Sequence, residues 1–305
     1  MSLLSEVLTG GIRGGTSIEF AALGESVSER GGVVNLGTEG SMLTGALAAY
    51  AISAETGHPW FGVVAAALAG GLLALVHAYF VLARHANQLA TGLVVLFLGL
   101  GLTSLFGVDY VQALAPTFTP VTVPLLGHLP FIGAIAFRQD PLVYLSYFLV
   151  PISWWTIFRS RWGVLLRAAG ERDEVLTAHG HRVAPIQYIA VVIGGMLAGI
   201  GGAHLSIAYT RSWFENMTQG RGFVAVAVVM FAARQPFKVA AGAYLFGAAL
   251  ALSPALQARG YGINQFALDA VPYVVTILVL VLLGRRRASQ VPEGLSKVFE
   301  APTLA

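Results

Sequence analysis

The sequence predicts an all-α protein, a polytopic helical membrane protein with about eight to nine transmembrane helices. Of its 305 residues, 56% are hydrophobic and only 11% are charged, whereas soluble domains carry about 25% charged residues. Apolar runs of about 20 residues, the length that crosses a bilayer, recur along most of the chain. Because these runs do not alternate as barrel strands do, and backbone groups in lipid must be paired within one element, we expect helices.

The helix positions follow from the apolar runs and from the prolines that begin several of them. Pro59, Pro141, Pro185 and Pro236 stand at or just before predicted helix starts, where a missing N–H is harmless. The first helix is the weakest candidate because it carries glutamates, so it could be partly re-entrant or interfacial. The predicted helices cover residues 14–28, 35–54, 60–83, 88–107, 141–158, 185–208, 220–233, 236–256 and 265–284.

The placement of basic residues orients the chain in the membrane. If the basic run at residues 285–287 is cytoplasmic, 13 of the 18 Lys and Arg residues fall on the inner side, as the positive-inside rule requires. Residues 1–284 then form one transmembrane domain with a cytoplasmic loop at about 159–184, and residues 285–305 form a short cytoplasmic tail. The proline-rich outer segment, residues 109–140, is too broken for a regular span.

Composition and motifs exclude several kinds of chemistry. The chain contains no cysteine, which excludes disulfides and thiol catalysis. Neither lysine follows a glycine, so no phosphate-binding loop is present, and the histidines show no compact metal-ligand spacing. We therefore expect no catalytic residue, no cofactor and no metal site, and any nucleotide hydrolysis must come from a partner.

Charge is concentrated in the inner loop, where eight of the 33 charged residues (18 basic and 15 acidic) lie between positions 159 and 182. Asp173 could N-cap a short helix, Glu174 favours its first turn, and Gly180 could end it in the left-handed conformation. An apolar patch on this helix would fit a groove on a peripheral protein, and its members are Val175, Leu176 and Ala178. The alternative is an ordinary solvated loop helix.

A second segment, residues 29–40, runs from a polar loop directly into an apolar span. It places Asn35, Thr38 and Glu39 at membrane depth between glycines, which suits a broken helix facing protein or a wet cavity. For Glu39 we favour a structural hydrogen bond over substrate contact. His77, His204 and Asp269 are weaker candidates of the same kind.

Three segments together resemble the permease subunits of bacterial ATP-binding-cassette (ABC) importers, in the branch that includes ribose, branched-chain amino-acid and nucleoside uptake. They are residues 22–40, which contain Val33-Val-Asn-Leu-Gly-Thr-Glu-Gly40, residues 161–180, and residues 217–236, which contain Gln219-Gly-Arg-Gly-Phe223. The first and third are most similar to the general nucleoside permeases. The resemblance covers about residues 15–284.

The resemblance implies that residues 171–180 form a coupling helix that seats on an ATPase. Its expected coupling residues are Glu171, Arg172, Asp173, Glu174, Val175, Leu176 and Gly180. The family has a run of small residues before the glycine, and His179 departs from that pattern. No motif fixes the substrate contacts, and the translocation pathway is expected to include Asn35, Thr38, Glu39, Asn216 and Arg221.

The resemblance also implies partners and a location. The partners are a homologous second permease subunit in a heterodimer, two ABC ATPase domains, an external substrate-binding lipoprotein and membrane lipid, with no nucleic acid. The location is the bacterial inner membrane, with a cytoplasmic C-terminus. The cargo is a small polar solute, with nucleosides favoured and simple sugars or branched-chain amino acids as alternatives. An ion-coupled secondary transporter using Glu39 or Asp269, or an intramembrane enzyme, fits the sequence less well.

Overall fold

The computed structural model describes residues 2–111, 113–130 and 132–260, with residues 264, 268, 270, 271, 274, 275 and 278. The predicted last helix, residues 265–284, lies largely outside the described residues, as do Asp269 and the tail at residues 285–305. Over the described ranges the chain is predominantly helical. The only paired strands described there are β1 (Val121–Thr122) and β2 (Arg138–Gln139), which are antiparallel.

The helices are numbered here in chain order. Their bounds within the described residues are α1 Leu3–Arg30, α2 Thr38–Thr56, α3 Pro59–Ala83, α4 Gln88–Phe106, α5 Ile132–Ala136, α6 Pro141–Arg159, α7 Arg161–Glu171, α8 Asp173–Ala178, α9 Val183–Tyr209, α10 Arg221–Phe231 and α11 Pro236–Gln257. The final turns of α3 and α9 are π-helical. By length and composition, α3, α4, α6, α9 and α11 are able to cross a membrane, and α10 is a shorter apolar helix. The all-α membrane fold is thus confirmed.

The prediction for the first helix was wrong in extent. Helix α1 begins at Leu3 rather than residue 14 and continues for 28 residues, which is about 42 Å at 1.5 Å per residue. Every residue from position 14 to position 29 is buried, because other helices cover all sides of this part of α1. Glu19, Glu25 and Glu29 therefore face protein, and the low hydropathy of this part of α1 does not make it a re-entrant segment.

Two further boundaries differ from the predictions. Helix α2 starts at Thr38 instead of residue 35, and α10 is confined to Arg221–Phe231. Residues 31–37, named the junction from here on, are non-helical and connect α1 to α2. The predicted helices at 60–83, 88–107, 141–158, 185–208 and 236–256 lie within about two residues of the observed ones, which is the usual uncertainty of helix ends.

Glycines let α9 approach α1, α2 and α3 closely, as the small-residue pattern of α9 predicts. A Cβ added at Gly194 would lie 3.0 Å from the carbonyl oxygen of Gly24 in α1, and one added at Gly199 would lie 3.3 Å from Cα of Gly70 in α3. A Cβ added at Gly45 in α2 would collide with the backbone of Gly199. The centre of the molecule is therefore built by direct backbone contact between helices.

The outer segment after α4 does not form a regular span in its described part. It packs on the outer helix ends, where the N–H of Phe118 donates to the carbonyl of Ile207 at 2.8 Å. The Phe118 ring contacts Trp60 edge-on, with the centroids 4.9 Å apart. On the same side, Trp213 Nε1 donates to the carbonyl of Gly107 at 2.9 Å and ties the α9–α10 connection to the end of α4.

A buried ion pair joins the C-terminal end of α1 to the α10–α11 connection. Arg234 Nε lies 2.6 Å from Glu29 Oε2, and neither side chain is more than 5% exposed. Ala233 and Arg234 have φ values of +50° and +57°, a conformation that non-glycine residues rarely adopt. Arg30 also donates to the carbonyl of Ala233 at 3.2 Å. These contacts hold a strained turn against the end of α1.

Replacing Glu29 with alanine should lower the free energy of unfolding by about 3–5 kcal/mol, because the Arg234 charge would stay buried without this carboxylate. The double variant Glu29→Gln/Arg234→Gln should lose less stability than Glu29→Ala. The control is Glu6→Ala, which breaks a solvent-exposed pair with Arg259 and should barely change stability. Denaturant unfolding in detergent measures all three, and equal losses for Glu29→Ala and Glu6→Ala would contradict this account.

Candidate functional site

The loop predicted to be cytoplasmic folds as two short helices with a single non-helical residue between them. Helix α7 is N-capped by Ser160, whose Oγ accepts from the N–H of Gly163 at 2.9 Å. The predicted N-cap of α8, Asp173, is wrong: Arg172 occupies that position with extended backbone, and Asp173 is the first helical residue. Glu171 belongs to the end of α7. The helix therefore covers Asp173–Ala178, which is shorter than the predicted 171–180.

Helix α8 ends in a Schellman motif. Gly180 adopts the left-handed conformation that the sequence predicts, with φ of +78°. Its N–H donates to the carbonyl of Thr177 at 2.9 Å, and the N–H of His181 donates to the carbonyl of Leu176 at 3.2 Å. His179 is the C-cap, and its Nδ1 lies 2.8 Å from a backbone carbonyl one turn earlier. His179, which departs from the family pattern, is thus accommodated by a contact within its own helix end.

The exposure of α8 divides its apolar residues into two groups. Leu176 is only 4% exposed, so it does not belong to the predicted docking patch. It anchors α8, which packs against α7 and α9. Val175 is 48% exposed, and apart from Leu176 every residue from 171 to 182 is exposed. The free surface of α8 therefore comprises Val175, Ala178 and the charged residues around them.

Helix α7 packs against α1, α6 and α9. Leu166 is fully buried in a cluster with Val27 of α1, Ile157 of α6 and Ala190 of α9. The guanidinium groups of Arg30 and Arg167 lie 5.2 and 5.6 Å from the centroid of the Phe158 ring, within the range of cation–π attraction. Because α7 is held by both apolar and cationic contacts, it is a firm base for the exposed helix α8.

The predicted polar residues of the α1–α2 region lie in two hydrogen-bonded clusters. In the first, Glu25 accepts from the backbone N–H of Asn35 at 2.8 Å and from the hydroxyl of Thr38 at 3.0 Å. Asn35 Oδ1 accepts from the N–H of Gly37 at 2.9 Å. All three side chains are at most 3% exposed, so they pair the backbone at the start of α2.

The second cluster forms around Glu39. One carboxylate oxygen accepts from the hydroxyl of Thr218 at 2.6 Å and the N–H of Gly220 at 2.8 Å, and the other accepts from the N–H of Gly222. The carboxylate therefore caps the N-terminus of α10, where the helix dipole favours negative charge. Next to it, a Cβ added at Gly40 would lie 3.0 Å from Cα of Leu96, which is in the middle of α4. This cap consequently lies near mid-membrane depth if α4 spans the bilayer.

The remaining predicted pathway residues are more accessible. Asn216 is exposed and has a positive φ of +55°. Arg221, the first residue of α10, is partly exposed, and its guanidinium lies 5.6 Å from the centroid of the Tyr209 ring. Tyr209 stacks in turn on buried His204, at 6.4 Å between centroids. The five predicted pathway residues thus include three buried side chains on α2 and the junction, and two at the α9–α10 connection.

Sequence reasoning missed several residues that build this region. Gln88 of α4 and Gln187 of α9 each bond the backbone of the junction, and Glu25 is the acceptor that organises the start of α2. The available signal was an ionisable or amide side chain inside or at the end of an apolar run. A sequence pattern does not show which backbone such a side chain reaches.

A groove of about 490 Å³ lies between α2 and α4. On α2 it is lined by the small or medium side chains of Thr44, Ala48, Ala51 and Ile52, and its end carries Asp109 and Tyr110. The exposed residues of α3 and α4 are mostly bulky and apolar, for example Leu68, Leu72, Val94 and Phe97. The α2 side of the groove also includes Leu47, but most of its side chains are smaller than the exposed side chains of α3 and α4.

Comparisons with known proteins agree with this architecture. Residues 7–283 match the family described as branched-chain amino acid transport system / permease component. The chain is 41% identical over 273 residues to the putative glucose ABC transporter permease protein TsgC13 of Haloferax volcanii, covering 88% of this chain and 82% of the relative. It is 32% identical over 288 residues to the guanosine ABC transporter permease protein NupQ of Bacillus subtilis, covering 88% and 89%.

A third relative, the nucleoside ABC transporter permease protein NupC of Lactococcus lactis, is 29% identical over 297 residues, with 93% of each chain covered. The family match at residues 7–283 includes the junction, α8 and α10, and each of these relatives aligns with about nine-tenths of the chain. The resemblance inferred from the three sequence segments is confirmed, and the chain belongs to the branched-chain amino acid transport system permease family of ABC transporters.

Proposed function

We propose that this permease carries a nucleoside across the bacterial inner membrane while a separate ABC ATPase, docked on α8, supplies the energy. The observation that carries the proposal is the exposure of α8 on a firmly packed base. Leu176 fixes the helix, and the residues around it from 171 to 182 are exposed. A short helix with an apolar centre and charged flanks is suited to a groove on a peripheral protein.

The proposed coupling residues have different roles: some would contact the ATPase, and others position α8. Val175 provides the exposed apolar contact, and Leu176 and Gly180 set the position and the end of α8. Four charged residues would orient the ATPase through its surface charges, and they are Glu171, Arg172, Asp173 and Glu174. The proposed assembly contains a homologous second permease, two ATPase domains and an external substrate-binding lipoprotein, with the C-terminus of this chain in the cytoplasm.

The proposed pathway follows the α9–α10 connection and the open face of α2. Asn216 and Arg221 offer accessible polar groups, and the groove beside Thr44 has a volume in the range of small-molecule sites. The carboxylate and amide groups of Glu39 and Asn35, and the hydroxyl of Thr38, are already hydrogen-bonded within the chain. We propose that these three shape the pathway through the backbone they hold.

Nucleosides are the favoured cargo because two relatives named for guanosine or nucleoside transport match about nine-tenths of the chain. A simple sugar is the second candidate, since the putative glucose permease is 41% identical. Both cargoes present several hydroxyl groups, and only the nucleoside adds a flat aromatic base.

The docking role predicts that Val175→Asp weakens ATPase binding by about tenfold or more, because a carboxylate would replace the apolar centre of the contact. Co-purification of the ATPase with membranes and ATP-driven uptake measure the effect. Val121→Asp is the matched control, since Val121 is 51% exposed in the outer segment, and it should leave ATPase binding unchanged. Normal ATPase recovery with Val175→Asp would remove the docking assignment.

Substitutions of the buried pathway residues and of the accessible ones should have different effects on stability and on uptake. Glu39→Ala leaves three donors without their acceptor and should lower the free energy of unfolding by about 3 kcal/mol or more. Asn216→Gly removes an exposed side chain while permitting the positive φ, so it should reduce uptake with little effect on stability. Unfolding curves and initial uptake rates test both variants. A stable Glu39→Ala protein that fails only in solute uptake would reverse this assignment.

The cargo is tested in proteoliposomes that contain the complete complex of permeases, ATPase and receptor. Labelled adenosine should accumulate only when ATP is supplied to the ATPase side, and unlabelled glucose should not compete. Accumulation of glucose with no effect of adenosine would replace the nucleoside with the sugar. Accumulation driven by an imposed proton or sodium gradient without ATP would contradict the ABC mechanism itself.

A further inference from the structure

The junction touches α7 by direct backbone contact. A Cβ added at Gly32 would lie 3.2 Å from Cα of Gly170, and a Cβ added at Gly170 would collide with the Arg30 carbonyl and lie 2.9 Å from the N of Gly32. Gly170 is the penultimate residue of α7, and Asp173 at the start of α8 follows three residues later. The exposed helix and the junction are therefore separated by less than one helical turn of chain.

Side chains from other helices form hydrogen bonds with the backbone of the junction. The N–H of Val34 donates to Gln88 Oε1 of α4 at 2.9 Å, and the carbonyl of Val34 lies 3.1 Å from His77 Nε2 of α3. Gln187 Nε2 of α9 donates to the carbonyl of Gly31 at 2.8 Å. Because these contacts are directional and come from three different helices, a displacement of the junction must re-arrange several helices together.

The C-terminal end of the junction connects to the centre of the molecule. Glu25 holds Asn35 and Thr38 at the start of α2, and the next residue, Glu39, holds the N-terminus of α10. From the bond between Gln88 and Val34 to the contact between Leu96 and Gly40, the chain rises by about eight residues of α4, or about 12 Å. A continuous series of contacts thus runs from α8 to mid-membrane.

We propose that the junction is the joint through which movement of α8 reaches the centre of the membrane domain, and that Gly170 is the positioning residue that keeps α7 in contact with it. The inference rests on the proposed docking of an ATPase at α8 and adds the route by which that docking acts. A contact made by two glycines has no flexible side chain between the backbones, so a small tilt of α7 is transferred to Gly32 with little slack.

The test is Gly170→Ala in the complete complex, because the added methyl group must push α7 away from the junction. We expect the ATPase to co-purify at the wild-type level, while the amount of adenosine transported per ATP hydrolysed falls about tenfold, a typical scale for lost coupling. Gly101→Ala is the matched control, since no described residue lies within 4 Å of a Cβ at Gly101 in α4. It should retain the wild-type ratio.

Each other outcome contradicts the proposal in a different way. An unchanged transport-to-ATP ratio would show that the contact is not used. Loss of ATPase binding by Gly170→Ala, with Val175 intact, would show that Gly170 merely positions α8. If Val175→Asp leaves the ATPase bound and transport normal, the docking role fails instead, so the two failures are distinguishable.

A second measurement does not depend on the folding of a variant. Cryo-electron microscopy of the wild-type complex, without nucleotide and with a non-hydrolysable ATP analogue, should show residues 31–37 shifting together with α7 and α8 relative to α3 and α4. Movement of α8 with the junction unchanged against His77 and Gln88 would overturn the proposal.

Discussion

The need to pair backbone hydrogen bonds away from water is the constraint on which this structure depends. Residues 31–37 leave helical geometry beside the first two turns of α4, and six of these seven residues are buried. Their N–H and C=O groups therefore need partners within the protein. Their partners come from side chains of α1, α3, α4 and α9, namely Glu25, His77, Gln88 and Gln187. The polar residues inside these apolar helices are thus explained by a short stretch of irregular backbone.

The same constraint accounts for the arrangement around α10. This helix is too short to cross a bilayer, and its N-terminus lies inside the protein. The carboxylate of Glu39 supplies acceptors to N–H groups that an interior helix end would otherwise leave unpaired. Two helix starts, those of α2 and α10, therefore meet and are held by two glutamates from neighbouring parts of the chain.

The sequence allowed accurate prediction of the five long apolar helices, because α3, α4, α6, α9 and α11 combine apolar composition with proline or polar boundaries. It failed for α1, whose protein-covered surface removes the need for apolar side chains. It also misplaced the N-cap of α8 and counted Leu176 as exposed. Such details depend on which neighbour covers a residue, and local periodicity does not contain that information. The tertiary partners of Glu39 could not be predicted from the sequence for the same reason.

The most direct measurement of the central claim is residue-resolved amide hydrogen exchange on the intact protein in lipid nanodiscs. The account predicts that the N–H groups of Val34, Asn35 and Gly37 exchange as slowly as those in the middle of α4, because each donates to a side-chain acceptor within the protein. Exchange at the rate of an exposed loop such as that around Gly180 would show that the junction is open to water and would contradict the account.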